Sequence, residues 1–252
     1  MTEAHLDSLT TIEVKRRHFD KAIIPLGSCE VNGDHLPYGS DTFIAREIAE
    51  RVARRVKGVL IVPAVPYGMS WHHADLPFTV SLSPETLGQV IREVAGGLIK
   101  HGIARIVMVT GHDGNIGPME IAARHVKHDT GITLAALPDW WFTSARLLPR
   151  EMFHDPGGLG HGGEGETSLN LAINPELVKL KNIDGTPVYE ALELPDLQGP
   201  TIRMFRNFGD HSPVGFCGNA VHATAEKGEA MLNACANLIV RHFEKTDREG
   251  WK

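Results

Sequence analysis

ARIVMVTGHDGN, residues 104–115, is the stretch from which the architecture of this chain can be read. Apolar residues fill nearly all of Ala104 to Gly111, the pattern of a central strand covered on both faces. The following GHDGN turns sharply, and a helical pattern runs from Asn115 to about Val126. The same strand-then-helix unit recurs on either side. AIIPLG at Ala22–Gly27 precedes an amphipathic run from Thr42 to about Val56, and GVLIVPAV at Gly58–Val65 precedes a helix at Pro84–Lys100 with Ser83 as N-cap and Pro84 in the first turn. ITLAALPD at Ile132–Asp139 predicts a further strand, Glu166–Ala172 a helix with a glycine-rich start, and Ala223 to about Glu244 a long closing helix. Alternating β and α elements of these lengths predict an α/β fold whose mostly parallel sheet is sandwiched between helices.

The whole chain, residues 1–252, reads as a single domain, which is an ordinary size for 252 residues with 42% hydrophobic content. Between about Asn182 and Pro213 the pattern dissolves into Pro, Gly and Asp, so 182–213 is expected to be an irregular insert or lid. A net charge of −6, with 25 Lys and Arg scattered along the chain, gives no footprint for nucleic acid. The N-terminus has no apolar core behind a basic start, and no later run approaches membrane-spanning length, so a soluble, cytoplasmic protein is expected. Cys29, Cys217 and Cys235 are odd in number and far apart, which suits reduced thiols.

Three glycine-rich turns carry the chemistry. GSCEVNGDHLPYGSD, residues 27–41, holds Glu30, Asp34, His35 and Asp41; GHDGN holds His112; and GLGHGGEGETS, residues 158–168, holds His161, Glu164 and Glu166. Ligands in open α/β sheets bind beyond the carboxyl ends of strands, where Glu30 and His112 both fall. Each cluster has an ordinary explanation. His112 could be a hydrogen-bonded core histidine, Asp41 an N-cap, and Glu164 and Glu166 first-turn acids complementing a helix dipole. Their joint occurrence at three strand-to-helix turns favours a metal site.

The same residues resemble the creatininase (creatinine amidohydrolase-like) family. GSCEVNGDHLPYGSD is similar to its first motif, and YGMSWHHADLPFTVSLSPETL places His73 on a family histidine. TGHDGN, HGGEGETS and VGFCGNAVHATAEKGEAML follow in the family order. The resemblance implies a creatininase-like fold with Glu30, Asp41 and His112 as metal ligands, and Asp41 bridging two divalent ions. It implies His161 as a catalytic proton-transfer or carbonyl-holding residue. Gly114 stands where creatinine-hydrolysing members carry a glutamate, and Glu164 is expected to substitute as both metal ligand and catalytic acid. Asn32 replaces the other metal-binding histidine, so an altered centre, mononuclear or binuclear, is expected. Asn32, His35, His73, Asn115 and Glu166 are expected to contact substrate or to support the ligands.

The implied cofactor is zinc or manganese, with iron also compatible, at one or two ions per chain. The expected activity is hydrolytic opening of a small polar cyclic substrate. A cyclic polyol ketone of the dehydro-inosose type, cleaved at a C–C bond to a keto-gluconate in inositol catabolism, is the leading expectation. A cyclic amide or formamide is the alternative, and a catalytically silent metal- or ligand-binding homologue is the alternative of another class. Family members commonly form homo-oligomers, which is expected here too.

Overall fold

The computed structural model describes residues 4–154, 159–183, 207–210 and 212–251. Gly158 and most of the 182–213 stretch lie outside them. The elements are α1 (Thr11–Arg16), β1 (Lys21–Leu26), α2 (Ser40–Ala53), β2 (Val59–Ile61), α3 (Pro84–Lys100), β3 (Arg105–Thr110), α4 (Ile116–Thr130), β4 (Ala135–Leu137), α5 (Trp141–Leu147), α6 (Glu164–Ile173) and α7 (Ala225–Glu249).

The four strands form one parallel sheet in the order β2-β1-β3-β4. β1 and β3 pair along their whole length, Lys21 with Arg105 through Leu26 with Thr110. All six residues of β1 are buried, and so are five of the six in β3, as continuous apolar runs require. On one face α2, α6 and α7 close a core containing Ile44, Ile48, Leu169, Met231 and Phe243. On the other, α3 and α4 pack Leu87, Ile91, Met119 and Ala122 against Ile24, Leu26 and Met108. Ser83 caps α3 as the sequence predicts, its Oγ accepting from Thr86 N at 3.1 Å, worth about 1 kcal/mol.

The strand order reverses between β1 and β3, so their carboxyl ends flank the crevice where an open α/β sheet binds its ligand. Two glycines press the first turn of α2 onto this crevice. A Cβ at Gly27 would lie 2.0 Å from Thr42 Oγ1, and one at Gly111 would lie 2.1 Å from the Asp41 carbonyl oxygen. Asp41 is thereby held between the two strand ends. Among the described residues no helix is long and apolar enough to cross a membrane.

Candidate metal centre

Glu30 sits just beyond β1 with no exposed surface. Ser28 Oγ donates to its Oε2 at 2.7 Å, while Oε1 accepts no hydrogen bond. Around that bare oxygen stand three imidazole nitrogens: His112 Nδ1 at 3.0 Å, His73 Nε2 at 3.6 Å and His161 Nδ1 at 3.7 Å. Asp41 Oδ2, also buried and without a hydrogen bond, lies 3.9 Å from His112 Nδ1. The N-cap explanation of Asp41 is excluded, because Gly39 is the N-cap of α2 and no side chain caps it.

His112 Nε2 faces the Met69 carbonyl at 3.1 Å, and a carbonyl only accepts. The Nε2 hydrogen belongs there, which leaves Nδ1 to present its lone pair to two carboxylate oxygens. Lone pairs converging in a buried site need a cation or a proton between them. Burial alone would depress the His112 pKa, yet the Glu30 carboxylate raises it; burial likewise opposes the Glu30 charge, yet His112, His73 and His161 hold that pKa well below the usual range. Burial and the Glu30 charge push the Asp41 carboxyl well above its ordinary value. A divalent ion would relieve all of these strains at once, and the donor set of two carboxylates and one imidazole suits zinc or manganese. Glu30, Asp41 and His112 thus form one group able to hold an ion, and Glu30, His73 and His161 form another, the donor atoms of each lying within 4.8 Å of one another.

His161 rides the glycine-rich turn before α6, its Nε2 donating to the Val31 carbonyl at 2.8 Å. Its ring stacks on His73 at 4.2 Å, and Phe208 covers both rings at 4.5 and 4.6 Å. Burial depresses both histidines, His73 to about 2, with His161 contributing. Asn32 is fully buried; with its amide nitrogen toward acceptors it donates to Glu166 Oε1 at 3.1 Å and lies 3.3 Å from His161 Nδ1. Burial pushes the Glu166 carboxyl up to about 8, partly offset by the Gly162 N–H that donates to it.

His35 and Asn115 support the site from behind. His35 Nε2 bonds the Gly162 carbonyl and Thr167 Oγ1, fixing the turn that carries His161. Asn115, wholly buried, ties Gly27 O, Thr110 Oγ1 and Met69 N together, so it acts on the backbone rather than on substrate. Gly114 has no room for a side chain, since a Cβ there would meet Met69 O at 2.2 Å and His112 Nε2 at 2.4 Å.

Glu164 departs from expectation. It belongs to neither group: Lys227 of α7 donates to its Oε1 at 2.5 Å, and His154 N lies 3.0 Å from Oε2. A lysine more than sixty residues away gives no sign in the local motif that it will neutralise this acid. Sequence reasoning also missed Ser28 and Ser70, whose hydroxyls meet at 2.6 Å between Glu30 and His112. The serine of the GSCE motif was the available signal.

Comparison with known proteins agrees with this geometry. The creatininase family model, described as creatinine amidohydrolase, matches residues 7–243. A creatinine amidohydrolase of Pseudomonas putida is 28% identical over 234 residues, 86% of each chain. A mycofactocin precursor peptide peptidase of Mycobacterium ulcerans is 30% identical, covering 87% of this chain and 84% of its own. A 3-dehydro-scyllo-inosose hydrolase of Thermotoga maritima is 26% identical over 185 residues, 70% of this chain and 58% of that protein. A manganese creatininase structure superposes with a TM-score of 0.77 at 25% identity, covering 96% of this chain and 98% of that one, and a related mutant is a zinc–zinc form. The fold, the candidate ligand groups and the matched span agree: this chain belongs to the creatininase family of metal-dependent hydrolases.

Proposed function

We propose that the protein opens a small polar cyclic substrate, and that a cyclic polyol ketone of the dehydro-inosose type, cleaved at a C–C bond to a keto-gluconate, is the best candidate. The observation that carries the hydrolytic reading is the convergence of Glu30, Asp41 and His112 on a bare, buried Glu30 Oε1. These three residues would hold the ion, zinc or manganese. When bound, the ion supplies Lewis acidity at the substrate carbonyl and lowers the pKa of water toward neutrality.

The chain's own residues do the rest. Ser28 fixes one Glu30 oxygen, and the Met69 carbonyl fixes the His112 tautomer, so both donors are set before substrate arrives. The His161 Nε2 hydrogen is bound to Val31 O, so this residue meets the site through the Nδ1 lone pair rather than as a ready proton donor. Glu166, whose carboxyl burial pushes up, is the acid beside it suited to carry a proton. Phe208 over the two imidazoles excludes water from that side.

Support for a polyol ketone over creatinine comes from position 114, where a carboxylate cannot stand without displacing Met69, and from Asn32, whose amide is occupied by Glu166. Trp71, 53% exposed, and the neighbouring His72 and Asp75 suit a hydroxyl-rich ligand. The cyclic-amide reading is favoured by the greater coverage of the creatinine-hydrolysing relative. Three thiols far apart in the chain, Cys29, Cys217 and Cys235, suit a cytoplasmic setting, and exposed Tyr38, Phe78 and Val80 suit a homo-oligomer. The test is NMR of zinc- or manganese-loaded protein with dehydro-inososes, creatinine and short peptides. Ring opening of the ketone to an acyclic keto acid is expected; hydrolysis of creatinine or peptide alone would contradict the substrate assignment.

A further inference from the structure

Ser70 stands just before the single helical turn Trp71–His73, where a serine ordinarily turns its hydroxyl onto the N–H groups of the turn that follows. Ser70 makes no such cap. Its side chain is wholly buried, and its Oγ lies 2.6 Å from Ser28 Oγ and 3.2 Å from His112 Nε2 instead. The backbone on either side is held independently: Leu82 N donates to Gly68 O at 2.9 Å, Met69 N to Asn115 Oδ1 at 2.9 Å and Ser70 N to Ser81 Oγ at 2.7 Å. A Cβ at Gly68 would meet Gly27 O and Asn115 Oδ1, both at 2.7 Å, so a glycine is what lets this segment come so close to the start of the GSCE motif.

Counting hydrogens fixes the direction of the bonds in this cluster. The Glu30 carboxylate only accepts, so the single Ser28 hydroxyl hydrogen goes to its Oε2 at 2.7 Å. Ser28 Oγ is then an acceptor toward Ser70, and the single Ser70 hydrogen is spent on it. With none left, Ser70 Oγ accepts from His112 Nε2, whose hydrogen also faces the Met69 carbonyl at 3.1 Å. Two groups that only accept, the Met69 carbonyl and the Glu30 carboxylate, thus set one direction: His112 to Ser70 to Ser28 to Glu30. Glu30 Oε1 lies 3.0 Å from His112 Nδ1, so the chain runs between the far atoms of two side chains whose near atoms already meet.

We infer that Ser70 is a positioning residue of the metal centre: its hydroxyl locks Glu30 and His112 into one unit and ties to both of them the turn that carries His73. In this role its hydrogen is committed to Ser28 and does not serve substrate. The inference rests on the hydrolase reading only in taking Glu30, Asp41 and His112 as metal ligands. Serine is required at position 70 because a hydroxyl can accept from an imidazole and donate to a second hydroxyl at the same time.

The test reads zinc affinity rather than turnover. Full-length parent, Ser28→Ala, Ser70→Ala and the double variant are titrated against a chromophoric chelator, with circular dichroism to confirm folding. Each single substitution is expected to weaken zinc binding about 10–100-fold. The double variant should be no weaker than the more affected single one, because either cut opens the same chain. Ser70→Cys keeps a side chain of similar size but is a weak donor and acceptor, so it should lose affinity as Ser70→Ala does, and it carries the test if the alanine variant does not fold. Losses that multiply in the double variant, or parent affinity in Ser70→Ala or Ser70→Cys, would overturn the role of Ser70; zinc uptake by the parent that is lost in Asp41→Asn would leave the ligand reading standing in each of those cases. A parent that takes up no zinc would overturn both.

Discussion

The two halves of the Glu30 cluster are built differently. Asp41 and His112 sit at the end of the sheet, one in the first turn of α2 and the other two residues beyond β3, and glycines at 27 and 111 let these elements meet. Their placement follows from the parallel order of β1 and β3. His73 and His161 instead ride on short turns, a single 3₁₀ turn at Trp71–His73 and the glycine-rich approach to α6. Topology thus positions one half and loops the other. Loops change while a sheet persists, so the His73–His161 half is where relatives with different substrates would be expected to diverge.

Three substitutions sharpen that contrast. Glu30→Gln removes the charge both halves share, so metal content should fall in both and turnover should drop about 10³-fold, the worth of several kcal/mol of transition-state stabilisation. A variant that kept half its activity would break the account of Glu30 as the common donor. Ser28→Ala leaves the ligands in place but frees Glu30 Oε2, and zinc affinity by competition with a chromophoric chelator should weaken about 10–100-fold. No change would mean that packing alone orients Glu30. Lys227→Met should spare metal binding altogether while costing about 2 kcal/mol, since Glu164 loses its cation at a partly solvent-screened contact. Calorimetry should show Tm lower by about 6 °C for a chain of this size. Loss of metal in that variant would return Glu164 to the ligand set.

Much of this was legible in the chain. Continuous apolar runs marked the sheet, and the ends of the two central strands marked Glu30 and His112, because backbone periodicity and strand direction are local properties. Pro84 and Ser83 fixed the start of α3 to the residue. Helix α1 was passed over although Thr10 and Glu13 form a capping box there, a signal the sequence does carry. β2 and β4 are shorter than their apolar runs, with Pro63 and Pro138 following soon after their ends. The motif favoured Glu164 over Glu166 as the ligand, because nothing local signals that Lys227 binds the first and Asn32 the second, two residues on in the same turn of helix. Nor could His73 be joined to His161, since their stacking depends on two loops meeting over 80 residues apart.

The account stands or falls on where an ion sits. Zinc-loaded crystals measured on both sides of the zinc absorption edge would give an anomalous difference map that locates metal without reference to side-chain assignment. The account predicts a strong peak bounded by Glu30, Asp41 and His112. A map with that position empty and zinc elsewhere, for example against Glu164, would contradict it.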